Sequence, residues 1–272
     1  MSDRCASIWR CPVCNAGLSG DLRTVQCPNK HAFDLAREGY LNLLPVQKRK
    51  SLNPGDSKEM MLARREFLAN GHYLPLIERF CAELPDTGRL LDLGCGEGYY
   101  SRQIARLKPG LDLYGVDISK EAVRLAAKQA ARGHAAVASA FDLPIESDSF
   151  DSVLTVFAPV DFDEIYRILT PHGRFIRVSP GEDHLQEIRA TIYDQVIPHE
   201  KGEKVRAGFR CRTEQTLRYQ FSPSNTQELI ALVQMTPHYW KAKADKKAQL
   251  EKQPHFSISA DFLIQVWEKQ TD

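Results

Sequence analysis

The segment "LLDLGCGEGYY" at 90–100 constrains the fold more than any other part of the chain. A buried apolar run ends there in glycines at alternate positions, Gly94, Gly96 and Gly98, and a helical pattern follows. Such glycines let the backbone turn sharply and approach a ligand where a parallel sheet changes strand order. The segment therefore predicts an α/β domain whose ligand lies at this loop.

The pattern on either side of the loop supports a mostly parallel sheet. Apolar strand-like runs alternate with amphipathic helical segments of 8–13 residues, the arrangement of βαβ units. The predicted strands of this part are 89–94, 111–117, 134–140, 150–158 and the segment after His172-Gly173. Two further strands, within 216–221 and 256–268, predict an antiparallel edge. A helix predicted over 57–84 is bent or broken near Gly71 and Pro75.

The glycine loop departs from the dinucleotide fingerprint G-x-G-x-x-G, because Gly98 comes one residue early and Tyr99 follows it. Asp117 closes the second strand, 23 residues after Gly94, where a carboxylate can bind ribose hydroxyls. A nucleoside-containing cofactor is the favoured ligand. An NAD enzyme and a glycine turn without a ligand remain alternatives.

The N-terminal segment carries four potential metal ligands, Cys11, Cys14, Cys27 and His31. Two short pairs separated by twelve residues suit a tetrahedral, structural Zn²⁺. So short a segment has no core of its own, and a metal would supply its folding energy. A thioredoxin-like redox pair needs a flanking strand and helix that the sequence lacks. Cys5 is a poorer candidate ligand, because it lies six residues before Cys11 and forms no short pair with it.

Composition limits the remaining classes. The 272 residues, 43% of them hydrophobic, suffice for one large domain and a small one. An odd count of seven cysteines favours reduced thiols or metal ligands over disulfides. The polar N-terminus and the absence of a long apolar run predict a cytoplasmic protein without a signal peptide or membrane span.

Positive charge is concentrated in two places, although the net charge is only +1. Residues 1–50 hold eight Lys/Arg against four Asp/Glu, and 201–212 hold five against one. Such runs are either solvated surface or phosphate contacts. If these runs bind RNA, the candidate phosphate contacts are Arg10, Arg23, Lys30 and the cluster 48–50. The candidate rings for base stacking are Trp9, Tyr40 and Phe157.

The D-x-G-x-G-x-G loop, the acid ending the second strand and "FDLPIESDSFD" together resemble the class I S-adenosylmethionine methyltransferases over 57–272. That resemblance implies a seven-stranded, Rossmann-like sheet with an antiparallel edge. It also implies cofactor roles for Asp92, Gly94, Gly96, Glu97 and Asp117, the last on the ribose.

The adenine end of the cofactor site departs from this pattern. Ser139 replaces the acid that usually faces the adenine amino group. The resemblance then implies recognition by backbone amides around Phe141 and Asp142.

The cysteine-histidine motif, "EGYLNLLPVQ", "NPGDSKEMMLARREFLANGHY" and "SPGEDHL" extend the resemblance almost end to end, to the large-subunit rRNA (guanine(745)-N(1))-methyltransferases. This family implies that Tyr73 and His184 also contact the cofactor. It implies a zinc-binding RNA-recognition domain at 1–44, a linker at 45–56 and a methyltransferase domain at 57–272. A 23S rRNA hairpin as substrate and a homodimer follow as expectations.

Three alternatives stay open: a neighbouring guanine of the same hairpin, a small-molecule methyltransferase, and a non-catalytic binding module. The fourth strand ends in "VFAPVDF", which lacks the Asn/Asp-Pro-Pro-aromatic motif of exocyclic-amine methyltransferases. Guanine N1 carries a proton that must leave, to a carboxylate or to water. The candidate carboxylates are Asp142, Asp161, Asp163 and Glu182.

Overall fold

A computed structural model describes residues 8–21, 23–48, 55–196, 199, 205–252 and 257–271. The described strands are β1 Ser19–Gly20, β2 Thr24–Gln26, β3 Ala32–Asp34, β4 Tyr40–Asn42, β5 Gly88–Leu93, β6 Leu111–Asp117, β7 Ala135–Val137, β8 Phe150–Val156, β9 Leu169–Pro180, β10 Phe209–Phe221 and β11 Ile258–Lys269. The described helices are α1 Lys58–Ala69, α2 Leu74–Cys81, α3 Tyr99–Leu107, α4 Lys120–Ala126, α5 Phe162–Ile168, α6 Gln186–Ile192, α7 Thr226–Gln234, α8 Pro237–Lys241 and α9 Ala244–Glu251. None of these helices is both long and apolar enough to cross a membrane.

Eight strands form the main sheet in the order β10-β11-β9-β8-β5-β6-β7-β4, and β1–β3 form a separate small sheet. β5 pairs in parallel with β6 and β8, while β11 pairs antiparallel with both β9 and β10. The predicted parallel sheet with an antiparallel edge is therefore confirmed. Seven of its strands match the expectation, and the eighth is β4.

β4 lies within the 1–44 segment and yet belongs to the large sheet. Tyr40 pairs with Ala135 and Asn42 with Val137, in parallel register with β7. The N–H of Leu43 extends this ladder by donating to the Val137 carbonyl at 2.9 Å. The metal-ligand segment therefore completes the edge of the sheet, which three-residue strands give little sequence signal to predict.

Trp9 also attaches the N-terminal segment to the main sheet. Its indole N–H donates to the Gly133 carbonyl at 2.8 Å, and its ring packs edge-on against Tyr114. Trp9 is 0% and Tyr40 4% exposed. The expectation that these two rings stack on RNA is wrong, because both are buried where the N-terminal segment packs onto the sheet.

Several local signals act as the sequence predicts. The predicted long helix breaks at Gly71, whose φ of +81° lies in the left-handed region. Ser57 caps α1 by accepting from the Met60 N–H, and Ser119 caps α4 by accepting from the Ala122 N–H.

α4 is shorter than the predicted 119–131, ending at Ala126. The segment beyond it contacts the turn before β4, where the Gly133 N–H donates to the Gly39 carbonyl at 2.7 Å. A tertiary contact thus overrides helix propensity.

Replacing Trp9 tests whether the N-terminal segment and the sheet unfold together. We expect Trp9→Ala to lower the free energy of unfolding by about 3–5 kcal/mol, the usual cost of deleting a buried tryptophan. The matched control is Trp240→Ala, at a ring that is 45% exposed, and its effect should be much smaller. Urea unfolding followed by circular dichroism measures both. Loss of the N-terminal segment alone, with the main transition unmoved, would contradict a shared core.

Candidate functional site

The four predicted metal ligands lie together at one end of the small sheet. Their ligand atoms, Sγ of Cys11, Cys14 and Cys27 and one ring nitrogen of His31, all lie within 4.8 Å of one another. The Sγ atoms of Cys14 and Cys27 are 3.6 Å apart. His31 Nδ1 lies 3.5 Å from Cys11 Sγ and 3.3 Å from Cys27 Sγ.

These separations fit a tetrahedral zinc ion. Zn–S bonds of about 2.3 Å and Zn–N bonds of about 2.0–2.1 Å place neighbouring ligand atoms about 3.6–3.8 Å apart. A hydrogen bond from the Ala16 backbone is the largest cause that lowers the pKa of the Cys14 thiol, to about 6, which favours the thiolate a metal needs. Four protein ligands leave no open coordination position, so the ion's role is structural.

A cleft of about 880 Å³ opens at the carboxyl ends of β5, β6 and β8. Its walls come from the glycine loop, the N-terminal part of α1, the loop after β7, the loop after β9 and the start of α8. This is where open parallel sheets bind their ligands. Of the predicted cofactor residues, the cleft is lined by Tyr73, Gly94, Gly96, Glu97, Asp117 and His184.

The glycine loop is fixed by backbone hydrogen bonds and close packing. The N–H groups of Gly94 and Cys95 donate to the Val116 carbonyl at 2.8 and 3.1 Å. A Cβ at Gly94 would lie 2.4 Å from Cβ of Ala158, so only glycine fits there. A Cβ at Gly96 would meet nothing within 4 Å and would project into open space. The side-chain direction is therefore blocked by Ala158 at Gly94 and open at Gly96.

Asp117 connects the end of β6 to this loop. Its Oδ2 accepts from the Gly96 N–H at 2.9 Å, and its Oδ1 accepts from the Ser119 N–H at 2.8 Å. Burial raises the pKa of Asp117, while the two amide hydrogen bonds act in the opposite direction. The carboxylate is thus held rigidly at the wall of the cleft.

Asp92 lies beneath the loop, buried inside β5. Its Oδ2 accepts from the Ser101 hydroxyl of α3 at 2.5 Å. Burial raises the pKa of Asp92 to about 6, and the charge of Asp117 adds to the effect. Asp92 therefore supports the loop from behind rather than lining the cleft.

Glu97 lines the cleft, but its carboxylate is already paired. Oε1 of Glu97 lies 2.8 Å from the Arg102 guanidinium, which also donates to the Glu97 carbonyl at 2.9 Å. This ion pair crosses the first turn of α3. It orients the loop backbone and leaves less of the carboxylate for a ligand.

Tyr73 and His184 form a buried pair deep in the cleft. The Asp261 N–H donates to His184 Nδ1 at 3.3 Å, so the neutral ring carries its hydrogen on Nε2, 3.5 Å from Tyr73 Oη. Burial lowers the pKa of His184 to about 3 and raises that of Tyr73. The pair is therefore uncharged at neutral pH.

The loop after β7 forms another wall. Ser139 and Phe141 line the cleft, and the Phe141 N–H donates to Ser139 Oγ at 3.2 Å. Asp142 is exposed, is not among the lining residues, and its N–H faces the Ser139 carbonyl at 3.4 Å. Both amides that the sequence offered for adenine recognition are thus engaged within the loop.

None of the four candidate proton acceptors lines the cleft as the described residues form it. Asp161 caps α5 by accepting from the Asp163 and Glu164 N–H groups. Asp163 is exposed on that helix. Glu182 contributes its carbonyl to a hydrogen bond from the buried Arg189 at 2.8 Å. Asp161 therefore acts as a helix cap.

The proposed phosphate contacts are only partly described. Arg23 and Lys30 are exposed on the small sheet, and Arg10 donates to the Asn15 carbonyl at 3.0 Å. Positions 49, 50 and 201–204 lie outside the described residues. Of the second basic run, Arg206 lies over the Phe162 ring, with its Cζ 4.7 Å from the ring centroid.

Two parts of the cleft were missed by the sequence analysis. Arg64 of α1 lines the cleft and forms an ion pair with Asp56. The Arg64 guanidinium also donates to the Met235 carbonyl at 3.3 Å. The segment 235–238 also lines the cleft, and His238 Nδ1 lies 3.0 Å from the Tyr193 hydroxyl oxygen. Pro237 was a sequence signal for the start of α8. It does not indicate that the residues around it line the cleft.

Zinc content tests the metal cluster. We expect Cys14→Ser to reduce zinc, measured by atomic emission on purified protein, from one ion per chain to near zero. Cys211→Ser is the matched control, because that thiol lies outside the cluster and next to the Thr213 carbonyl. Equal zinc in the two variants would rule out the assigned ligand set.

The buried carboxyl of Asp92 predicts a pH-dependent stability. Because its pKa rises from 3.8 unfolded to about 6 folded, its contribution to stability falls as pH rises from 4 to 6. Asp92→Asn should remove this penalty and raise the free energy of unfolding by about 3 kcal/mol at pH 7, with the difference vanishing below pH 4. His184 acts in the opposite direction, losing stability as pH falls from 6.5 toward 3. Wild type and variant must therefore be compared at each pH, and a difference that is constant with pH would refute the assignment.

Two family models match the chain. The RlmA N-terminal zinc-ribbon model matches residues 9–52, and a methyltransferase-domain model matches residues 85–251. A curated relative, the 23S rRNA (guanine(748)-N(1))-methyltransferase of Streptomyces fradiae, is 35% identical over 88% of this chain and 88% of its own.

Solved structures agree in fold. A candidate methyltransferase from Bacillus halodurans aligns with a TM-score of 0.52 at 15% identity, covering 74% of this chain and all of its own. A phosphoethanolamine N-methyltransferase of Haemonchus contortus, solved with S-adenosylhomocysteine, gives 0.50 at 18% identity and covers 82% of this chain and 62% of its own.

The ribbon with its four ligands, the glycine loop and the end-to-end similarity agree with one another. The chain belongs to the family of 23S rRNA (guanine-N(1)-)-methyltransferases, class I S-adenosylmethionine-dependent enzymes with an N-terminal zinc ribbon.

Proposed function

We propose that this protein transfers a methyl group from S-adenosylmethionine to N1 of one guanine in a hairpin of 23S rRNA, in the cytoplasm. The observation that carries the proposal is the union of a metal-ligand ribbon and a nucleoside-binding cleft on one sheet. Residues 1–44 would recognise RNA, 45–56 would link, and 57–272 would hold the cofactor. A small-molecule enzyme has no evident use for the ribbon.

The cofactor supplies an activated methyl on its sulfonium. We assign Asp117 to the ribose hydroxyls, since it lines the cleft at a strand end, and Gly94 and Gly96 to close backbone approach. Asp92 would act by supporting the loop. Glu97 would contribute mainly through its backbone, because its carboxylate pairs with Arg102.

The uncharged pair deep in the cleft is assigned to the amino-acid end of the cofactor. With His184 Nε2 donating toward Tyr73 Oη, the tyrosine hydroxyl hydrogen remains available for a carboxylate. On the adenine side, Phe141 would provide apolar contact, and Asp142 would act only by fixing the loop, because its N–H faces the Ser139 carbonyl.

The remaining chemistry is alignment and loss of one proton. A cleft that holds the base in line with the methyl supplies most of the acceleration. The four carboxylates predicted as proton acceptors are not among the residues that line the cleft, which favours water as the acceptor. The target base would have to leave its stack to reach the methyl.

RNA binding is assigned to three cations of the ribbon through phosphate contacts, the exposed Arg23 and Lys30 and the half-buried Arg10. The proposal includes a homodimer, which the family resemblance implies, with two ribbons forming one RNA cleft. Light scattering of the full chain would test it, since the expected mass is twice the 30.8 kDa of one chain.

Methyl transfer to protein-free 23S rRNA tests the function. We expect labelled methyl in the RNA and a reverse-transcriptase stop at one guanine, because an N1 methyl blocks the Watson–Crick edge. Primer extension across the hairpin distinguishes the guanine at 748, named for the Streptomyces fradiae relative, from its neighbours.

The control for that experiment is Gly96→Ala, whose methyl would enter the open space at the loop. It should lose cofactor binding and the stop together, whereas Gly17→Ala, whose Cβ would face a flexible Glu146 side chain, should keep its cofactor affinity. Cofactor binding without any label in rRNA would refute the proposed substrate.

A further inference from the structure

We propose that Phe157 is the platform on which the target guanine stacks after it leaves the RNA helix. This inference rests on the proposed function and names the residue that holds the base. It follows from where the ring lies, how its backbone is held and how much of it is uncovered.

Phe157 follows β8 directly and lines the cleft. The next residue, Ala158, packs so closely on the glycine loop that a Cβ at Gly94 would lie 2.4 Å from its own. Phe157 is therefore one residue from a contact with the cofactor loop. A base stacked on its ring would lie beside the site assigned to the methyl donor.

The backbone of Phe157 adopts a conformation that a phenylalanine rarely takes. Its φ of +59° is in the left-handed region, and a bulky side chain there carries a strain cost. The Phe157 N–H donates to the Val178 carbonyl of β9 at 3.0 Å, which holds the residue in place. Glycine would adopt this conformation without strain, so the choice of an aromatic residue points to a use for the ring.

The ring is supported on one side and uncovered on the other. Its centroid lies 5.5 Å from that of His184 and 6.0 Å from that of Phe262. The residue nevertheless remains 41% exposed. A large aromatic that is fixed from behind and open toward a cleft is the arrangement that RNA-binding sites use for unstacked bases.

The other exposed phenylalanine of the cleft has a different position. Phe141 belongs to the loop after β7, beyond the end of β6 that carries Asp117. The strand order places Phe157 on the opposite side of β5, toward β9. Phe141 therefore lies with the nucleoside part of the cofactor, and Phe157 is left for the substrate.

Phe157→Gly and Phe157→Tyr separate stacking from folding. Glycine removes the ring and relieves the backbone, so the variant should fold with a melting temperature close to that of the wild type. Its kcat/KM on a 23S rRNA hairpin should fall about 5- to 150-fold, the range that loss of one base stack produces. Phe157→Tyr keeps an aromatic face and should retain activity within a few-fold. S-Adenosylmethionine affinity, measured by calorimetry, should be unchanged in both.

A fluorescence measurement tests the contact itself. With 2-aminopurine in place of the target guanine, the emission of the bound RNA should differ between the wild type and Phe157→Gly, because only the wild type offers the ring on which the base stacks outside the helix. Unchanged kcat/KM and unchanged emission in Phe157→Gly would overturn the inference while methylation by the wild type stands. An equal loss of cofactor affinity would assign the ring to the cofactor instead. Failure of the wild type to methylate any guanine would overturn the proposed function itself.

Discussion

The hydrogen bond from the Gly96 N–H to Asp117 is the constraint on which the cleft depends. It joins the end of β6 to the loop after β5, so two neighbouring parallel strands present their ends as one surface. The second oxygen of Asp117 accepts from the Ser119 N–H and thereby also fixes the start of α4. Gly94 packs against Ala158, which brings the end of β8 to the same point. Asp117 and the Gly94–Ala158 contact together thus hold three strand ends at one point.

Burial makes a charge near this loop costly, and the cost appears in the pKa values of two neighbouring groups. Asp92 sits behind the loop with a raised pKa, and His184 sits across the cleft with a lowered one. Both shifts come mainly from removal from water. At neutral pH His184 is therefore uncharged, whereas Asp92, with a pKa of about 6, is mostly ionised and carries the cost of its burial. A cationic cofactor can enter such a cleft without competing with a positive histidine. The same burial raises the pKa of Tyr73 and keeps its hydroxyl uncharged.

Local patterns predicted the catalytic domain well, because strand periodicity, glycine spacing and helix caps such as Ser119 act over a few residues. The metal ligands were predictable for the same reason, since Cys11 and Cys14 form one pair and Cys27 and His31 the other. Contacts between segments that are distant in the sequence could not be predicted in this way. Trp9 looked like a surface ring beside basic residues, and its buried bond to Gly133 spans 124 positions. The tautomer of His184 likewise depends on Asp261, 77 positions away.

The strand β4 has a consequence for how the chain is made. Its parallel partner β7 is translated about 95 residues later, since Tyr40 pairs with Ala135. On the ribosome, the cysteines and histidine can capture zinc early, while the apolar edge around Trp9 has nothing to pack against until β6 and β7 emerge. Contacts of such long sequence separation form late and slowly. The metal would then keep a nascent N-terminal segment compact and protected during that interval, so zinc supply would influence how much chain reaches the folded state.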